Sequence, residues 1–337
     1  MGGKAMALVG VETERKSTTE HLRIQQELIL IISELFNTEV KTVKFYHNKE
    51  SHGDCDLLIL NNDNLGNIGE ILKAKFGPTY CNNNVYSFAY DNYQIDIIPT
   101  PLHNWGTAQC FFNYDPSGNL QGKISHKFGL KYGFSGLVFP FRGFSGHQIT
   151  DIIISKDNRK IFNFLGFDYD RYLLGFDTVE DIFKYVIESK YFDYTIFDFD
   201  NLNHIDRKRN RKRATYNGFL EYLTNHDITY SYNFHKDKSL YIDIINDYFP
   251  EANLKIKLKE LSYNNNKVKL ASKKFNGEMI IEWSGKTGIE LGKIIFNYKK
   301  YIENKYNMSF NDYLLLDDNS ADKIKLEFLN WYKQLNS

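Results

Sequence analysis

Apolar residues first recur at helical spacing between Thr18 and Phe36, where Leu22, Ile24, Leu28, Ile31, Ile32 and Leu35 form one stripe. Ser17 and Glu20 stand at the spacing of a capping box, in which each side chain satisfies an amide left open at a helix start. A strand is expected near Thr42–Tyr46, followed by a polar turn and a second strand over Cys55–Leu60. Gly69–Lys75 then reads as a helix, and Asn84–Tyr90 with Tyr93–Ile98 as a hairpin turning at Asp91-Asn92. This order predicts a small mixed sheet with helices on one side.

From Lys123 to Phe192 the spacing turns mostly helical, most clearly over Thr178–Ser189 behind an Asp177/Thr178 cap. A charged stretch, Asn201–Arg213, separates this half from a helix at Thr215–Asn225, a few short strands within Ile228–Ile245, and closing helices at Gly288–Glu303 and Ala321–Leu335. The expected class is α+β. Its expected domains are a sheet-bearing domain over 1–122, a helical region over 123–200 and a mostly helical C-terminal domain over 201–337.

Composition narrows the classes. The 337 residues are 42% hydrophobic and 25% charged, enough for a sizeable core, which excludes a disordered chain. Lys+Arg and Asp+Glu are both 42, which excludes a uniformly basic coat protein and an acidic tail. Cys55, Cys81 and Cys110 form no CxxC pair, so a disulfide framework is not expected. No apolar run approaches the ~20 residues of a membrane span. The first sixteen residues are too polar for a secretory leader. A cytoplasmic protein is expected.

The chemistry concentrates in Ser51–Leu60, SHGDCDLLIL. On a strand, Asp54 and Asp56 share one face while Cys55 and Leu57 point into the core. Asp96 stands in the apolar strand YQIDIIP, where a lone charge is costly unless paired or bound to metal. Three carboxylates on neighbouring strands suit hard cations such as Mg²⁺. Two such ions roughly 3.5–4 Å apart can activate a hydroxyl and clamp a triphosphate.

SHGDCDLLIL and YQIDIIP resemble the catalytic strands of the DNA polymerase β nucleotidyltransferase superfamily, most of all the family X DNA polymerases. The resemblance implies a nucleotidyltransferase palm, with Asp54, Asp56 and Asp96 as catalytic metal ligands for two Mg²⁺ (or Mn²⁺) and Asp96 on the side of the primer 3′-hydroxyl. Ser125–Gly133 with Phe134-Ser135, and Gly175–Tyr191, resemble thumb helices of that family. The chain departs from the pattern at Val43-Lys44, where a Gly-Ser usually holds the triphosphate. Lys44, His47 or Lys49 would then hold phosphate through side chains, with Ser51, His52 and Gly53 in the adjoining turn; His52 fits either phosphate contact or the turn itself. Tyr114–Asn119, YDPSGN, is the nearest counterpart of the element that lines the sugar, with Tyr114 as its aromatic. The stretch ahead of residue 18 is too short for the lyase domain of repair polymerases, so none is expected, and no helix-hairpin-helix signature is clear in the first half.

Two further stretches bear on partners. Arg207, Lys208, Arg209, Arg211, Lys212 and Arg213 crowd into seven positions, suited to a nucleic-acid backbone with Tyr216 nearby for stacking. A solvated linker or a nuclear-import signal would read the same way. Lys273–Tyr298 is no Walker motif, because its leading glycine would fall at Ile280. It resembles the Phe-x-Gly…Gly pattern of CCA-adding enzymes and bacterial poly(A) polymerases, where the region handles RNA. A turn before a helix, with Gly292 allowing close packing, is the alternative. The layout also resembles nucleotidyltransferases of large phages and viruses, which implies host cytoplasm. Two classes of function follow: an enzyme moving a nucleoside monophosphate from a nucleoside triphosphate to the 3′ end of DNA or RNA, templated or not, or a pseudoenzyme that only binds nucleic acid. The palm does not itself name the acceptor.

Overall fold

The computed structural model describes residues 4–62 and 65–335, so the expected outer domain bounds at 1 and 337 lie outside it. The class is mixed α+β, and no helix among the described residues is long and apolar enough to cross a membrane. The chain divides into two compact units: Met1–Pro140 with Ile152–Ala252, and Phe141–Asp151 with Asn253–Ser337.

In the first unit, β1 (Lys16–Ser17) leads into α1 (Thr18–Phe36), whose Ser17–Glu20 capping box is formed. There follow β2 (Val40–Thr42), β3 (Ser51–His52), β4 (Asp54–Asn61), α2 (Ile68–Phe76), β5 (Thr79–Asn82), β6 (Val85–Tyr90) and β7 (Tyr93–Pro101). Five of these make a sheet ordered β2-β4-β7-β6-β5, parallel at β4–β7 and antiparallel elsewhere. The β6–β7 turn carries positive φ at both Asp91 and Asn92, as a two-residue type I′ turn requires. The two-residue alternation sends Cys55, Leu57, Ile59, Ile95 and Ile97 into one core with Ile24, Leu28 and Ile32 of α1 and Leu72 of α2. Burying each large apolar side chain there contributes about 1.5–3 kcal/mol. Beyond β2 the chain leaves the sheet earlier than expected. The Lys44 amide and carbonyl bond to Asn113 Oδ1 (2.8 Å) and the Tyr114 amide (2.7 Å), leaving 43–46 as loop.

Next come α3 (Trp105–Phe112) and α4 (Ser117–Lys127), then strands β8 (Lys131–Gly133), β9 (Gly136–Arg142) and β10 (Gln148–Ser155) in a sheet ordered β10-β9-β8. This corrects the helical expectation for 123–192. Ile152 and Ile154 are buried while Ile153 is exposed, a two-residue period inside a run that looked uniformly apolar. The helices α5 (Asn158–Phe164), α6 (Tyr169–Leu174), α7 (Val179–Ile187), α8 (His204–Asn210), α9 (Ala214–Asn225) and α10 (Tyr241–Tyr248) complete the unit. Short strands expected within 228–245 reduce to one bridge, Asp193 to Ser231; Tyr241 and Ile245, four apart and buried, instead start α10. Residues 201–252 belong to this first unit rather than to a separate domain starting at 201. Phe219 of α9 packs on Phe183 of α7 and on Phe197, at ring distances of 5.3 and 5.0 Å.

The second unit holds α11 (Leu254–Ser272), α12 (Gly277–Ser284), α13 (Gly288–Tyr306), α14 (Phe310–Leu315) and α15 (Ala321–Leu335). Its core gathers Phe275, Tyr298, Ile302, Phe328 and Trp331. Gly285, at φ +66°, caps α12, and Lys286 pairs with Glu290 of α13 at 3.1 Å, so Gly285-Lys286-Thr287 is an interhelical turn. Gly292 faces open space, so the close packing of the alternative reading is not found there.

Candidate active site

The β4–β7 pairing places Asp54 beside Gln94 and Asp56 beside Asp96, on the sheet face opposite the α1–α2 core. Toward the strands' far ends this face is covered by α3, where Leu58 packs with Trp105 and Ala108. The stretch bearing Asp54 and Asp56 is left open.

Four polar anchors hold that stretch. Gln94, nearly fully buried, donates from Nε2 to both carboxylate oxygens of Asp96, at 3.0 and 3.1 Å. Its Oε1 accepts from the amides of Ala5 (2.8 Å) and Met6 (3.4 Å), which fixes the side-chain amide's orientation. Ser87, opposite Asp96 on β6, also hydrogen-bonds that carboxylate. The Tyr93 hydroxyl donates to the Asp54 carbonyl (2.5 Å) and therefore accepts from His21 Nδ1 (2.9 Å). The Thr18 hydroxyl donates to the Lys49 carbonyl and accepts from His52 Nε2 (3.1 Å). His21 and His52 stack at 3.8 Å beneath the loop. Burial, then the nearby Lys49 charge, lowers their pKa values to about 4 and about 3, so both rings are neutral at pH 7.

The carboxylates are electrostatically loaded. Burial raises Asp96 to about 6. Asp56 is pushed well above the usual carboxylate range, first by burial and then by Asp54 and Asp96. Lys49 is drawn down by burial against the opposing pull of Asp115, Asp54 and Asp56. An all-oxygen donor set whose carboxylates raise one another's pKa fits a hard divalent cation. Among the described residues, however, no three carboxylate, imidazole or thiol side chains converge into a ready cage. Asp96 has both oxygens on Gln94.

Asp54 and Asp56 open onto a cleft of about 980 Å³ that lies wholly in the first unit. Its walls carry six basic side chains, Arg15, Lys44, Lys49, Lys123, Arg209 and Arg213. They also carry six acids, Glu50, Asp54, Asp56, Asp115, Glu180 and Asp206. Of the residues expected to bind nucleotide, Lys44, Ser51, His52 and Gly53 line the cleft. His47 does not; its exposed ring bonds Asp177 at 2.6 Å. Tyr114 does not either, because its ring is buried edge-on against Tyr172 and Phe176, at 5.3 and 5.1 Å. Its neighbours Asp115, Gly118 and Asn119 line the cleft instead.

The basic segment divides. Arg209 and Arg213 reach the cleft. Arg207 holds the carbonyls of Phe199 (2.8 Å) and Leu202 (3.0 Å), and Arg211 lies over the Phe199 ring. Lys208 and Lys212 are exposed. Tyr216 stacks on no ligand surface: it is fully buried and donates to the Phe197 carbonyl.

Sequence reasoning missed the opposite wall. Lys123 of α4 is buried and pairs with Asp206 of α8 at 2.7 Å, across 83 positions. The available signal was weak: α4 is short of charge yet buries Ser117, Gln121, Lys123 and Ser125. Gln121 Nε2 and Asn210 Nδ2 find no protein partner, which marks this wall as polar inside the fold. Compared with known protein families and with curated protein sequences, the chain matches none.

Proposed function

We propose that this chain is a metal-dependent nucleotidyltransferase resembling the DNA polymerase β superfamily, which moves a nucleoside monophosphate from a nucleoside triphosphate to a nucleic-acid 3′-hydroxyl. One observation carries the reading: Asp56 and Asp96 stand side by side on parallel strands, next to a cleft whose basic and acidic groups balance. Such a cleft has no net pull on a polyphosphate until its carboxylates are neutralised. Mg²⁺ held by Asp54 and Asp56, with Asp96, would supply that neutralisation and polarise the phosphate oxygens. The basic side chains would then be left to hold the triphosphate, Lys49 and Lys44 from the loop before β3 and Lys123, Arg209 and Arg213 from the helices. Lys49 and its neighbours thereby stand in for the missing Gly-Ser. In the transfer, the 3′-oxygen bonds to the α-phosphorus as the bond to the bridging oxygen breaks. Pyrophosphate leaves, and the hydroxyl proton passes to Asp96 as the base beside the 3′-oxygen. The other groups position the reactants.

One gel tests this. Labelled primer–template DNA, single-stranded RNA and a tRNA trimmed at its 3′ end are each offered with Mg²⁺ and dNTPs or NTPs. Extension of any of them, lost in Asp54→Asn and Asp56→Asn proteins that still fold, supports the reading. No extension, with no Mg²⁺-dependent thermal stabilisation by nucleoside triphosphates, overturns it in favour of a binding protein.

A further inference from the structure

In the second unit, α11 is a 19-residue helix of which only Leu254 and Ala271 are buried. From Leu254 through Lys274 stand seven lysines and one acid, Glu260. At 100° per residue, positions 255, 259, 262, 266, 269 and 273 fall within about 40° of one line along the helix. These are Lys255, Lys259, Ser262, Asn266, Lys269 and Lys273, and every one is exposed. Leu254 and Ala271 lie on the opposite side, where Lys267 pairs with Asp312 of α14 at 2.6 Å. Lys259, Lys269 and Lys273 enter no ion pair among the described residues. Lysines four apart on a helix repel one another and oppose its formation. Here the Lys269–Lys273 pair sits on an exposed face, and no acid stands on the line.

We propose that this lysine line is a docking face for the phosphate backbone of nucleic acid, the acceptor strand or its duplex. It spans about 27 Å, a length that meets a row of phosphates rather than a single anion. Serine and asparagine between the lysines are further donors to phosphate oxygens. A lipid surface fits less well. The apolar residues beside the line, Ile256, Tyr263 and Leu270, are seven positions apart, too sparse for the continuous apolar face that inserts among acyl chains. The inference takes the acceptor's identity from the nucleotidyltransferase reading, but its test does not depend on catalysis.

Binding of labelled duplex and single-stranded oligonucleotides to the full chain is followed by fluorescence anisotropy over a salt series. The comparison is with Lys259→Gln/Lys269→Gln/Lys273→Gln. We expect the triple variant to bind the duplex about tenfold or more weakly at 0.1 M salt, with the slope of log K against log salt reduced by about 2 to 3. Its melting temperature, and its stabilisation by Mg²⁺ with nucleoside triphosphate, should match the parent chain. Unchanged affinity and slope would overturn the proposal. So would a parent chain that binds phosphatidylserine–phosphatidylcholine vesicles through these lysines but neither oligonucleotide. If the parent chain extends no acceptor yet loses oligonucleotide binding on this substitution, the docking face stands and the catalytic reading fails.

Discussion

Asp56 of β4 is the direct lateral partner of Asp96 of β7 in a parallel pair, with both side chains on the open sheet face. Without a cation, ionising both costs stability. Asp96 holds its proton to about pH 6 in the fold but only to 3.8 when unfolded. Between those values the folded state binds more protons, so this contribution falls as pH rises through the window and is absent below it. Asp96→Asn should therefore raise the stability of the metal-free protein at pH 7.5 by on the order of 1–3 kcal/mol while abolishing transfer. The gain should vanish near pH 4. Urea titrations in EDTA at both pH values check this, and a variant less stable than the parent at pH 7.5 would count against it.

Gln94 ties the same carboxylate to the N-terminal turn at Ala5 and Met6. Gln94→Leu removes the two Nε2 contacts to Asp96, leaving Ser87 in place, and leaves the two amides without their acceptor. Groups that orient a ligand from behind commonly change metal affinity 10–100-fold. We expect Mn²⁺ binding, read by electron paramagnetic resonance, to weaken by about that factor. A fall in melting temperature with unchanged Mn²⁺ affinity would reduce Gln94 to a packing residue.

The stacked His21–His52 pair makes the fold sensitive to acid. Both rings stay neutral in the fold down to about pH 4 and 3, whereas free imidazoles charge near 6.5. Below 6.5 the unfolded chain binds protons that the folded chain refuses, so this contribution is full above 6.5 and declines as pH falls. Each ring should cost about 2 kcal/mol between pH 6.5 and 5. Imidazole NMR signals of both residues should hold constant from pH 7.5 to 5. A midpoint near 6.5 for either would show that its ring is not confined as described.

How much could be read from the sequence follows from the range of each interaction. The Ser17–Glu20 cap and the Asp91-Asn92 turn are local, and spacing alone reveals them. Asp54, Asp56 and Asp96 announce themselves as charges in apolar strands, and alternation fixes the face they share. The Lys123–Asp206 pair joins positions 83 apart and has no local signature. Tyr114 and Tyr216 mislead because an aromatic beside a motif looks the same whether it faces a ligand or the core. The helix α11 was invisible to an apolar-stripe test because it has almost no buried side to display. The strands β8 and β9 lie in glycine- and aromatic-rich runs and β10 in an isoleucine run, and only the fold identifies their pairing partners.

Two glycines separate close approach from mere helix weakness. A Cβ on Gly118 would stand 2.3 Å from the Phe111 carbonyl oxygen and 2.9 Å from its ring, so α3 and α4 can meet here only without a side chain. Gly118 also lines the cleft, so any shift that admits a methyl group moves the wall bearing Asn119 and Lys123. Gly118→Ala should destabilise by about 1–3 kcal/mol, the order seen for overpacked interiors, and weaken nucleotide binding. Gly292, exposed in the second turn of α13, has nothing within 4 Å of the point where a methyl carbon would stand. Alanine there removes backbone freedom from the unfolded chain without a clash and should stabilise by about 0.5–1 kcal/mol. Thermal melts of the two variants should move in opposite directions. A Gly118→Ala protein that melts with the parent would mean that α3 and α4 do not pack this closely.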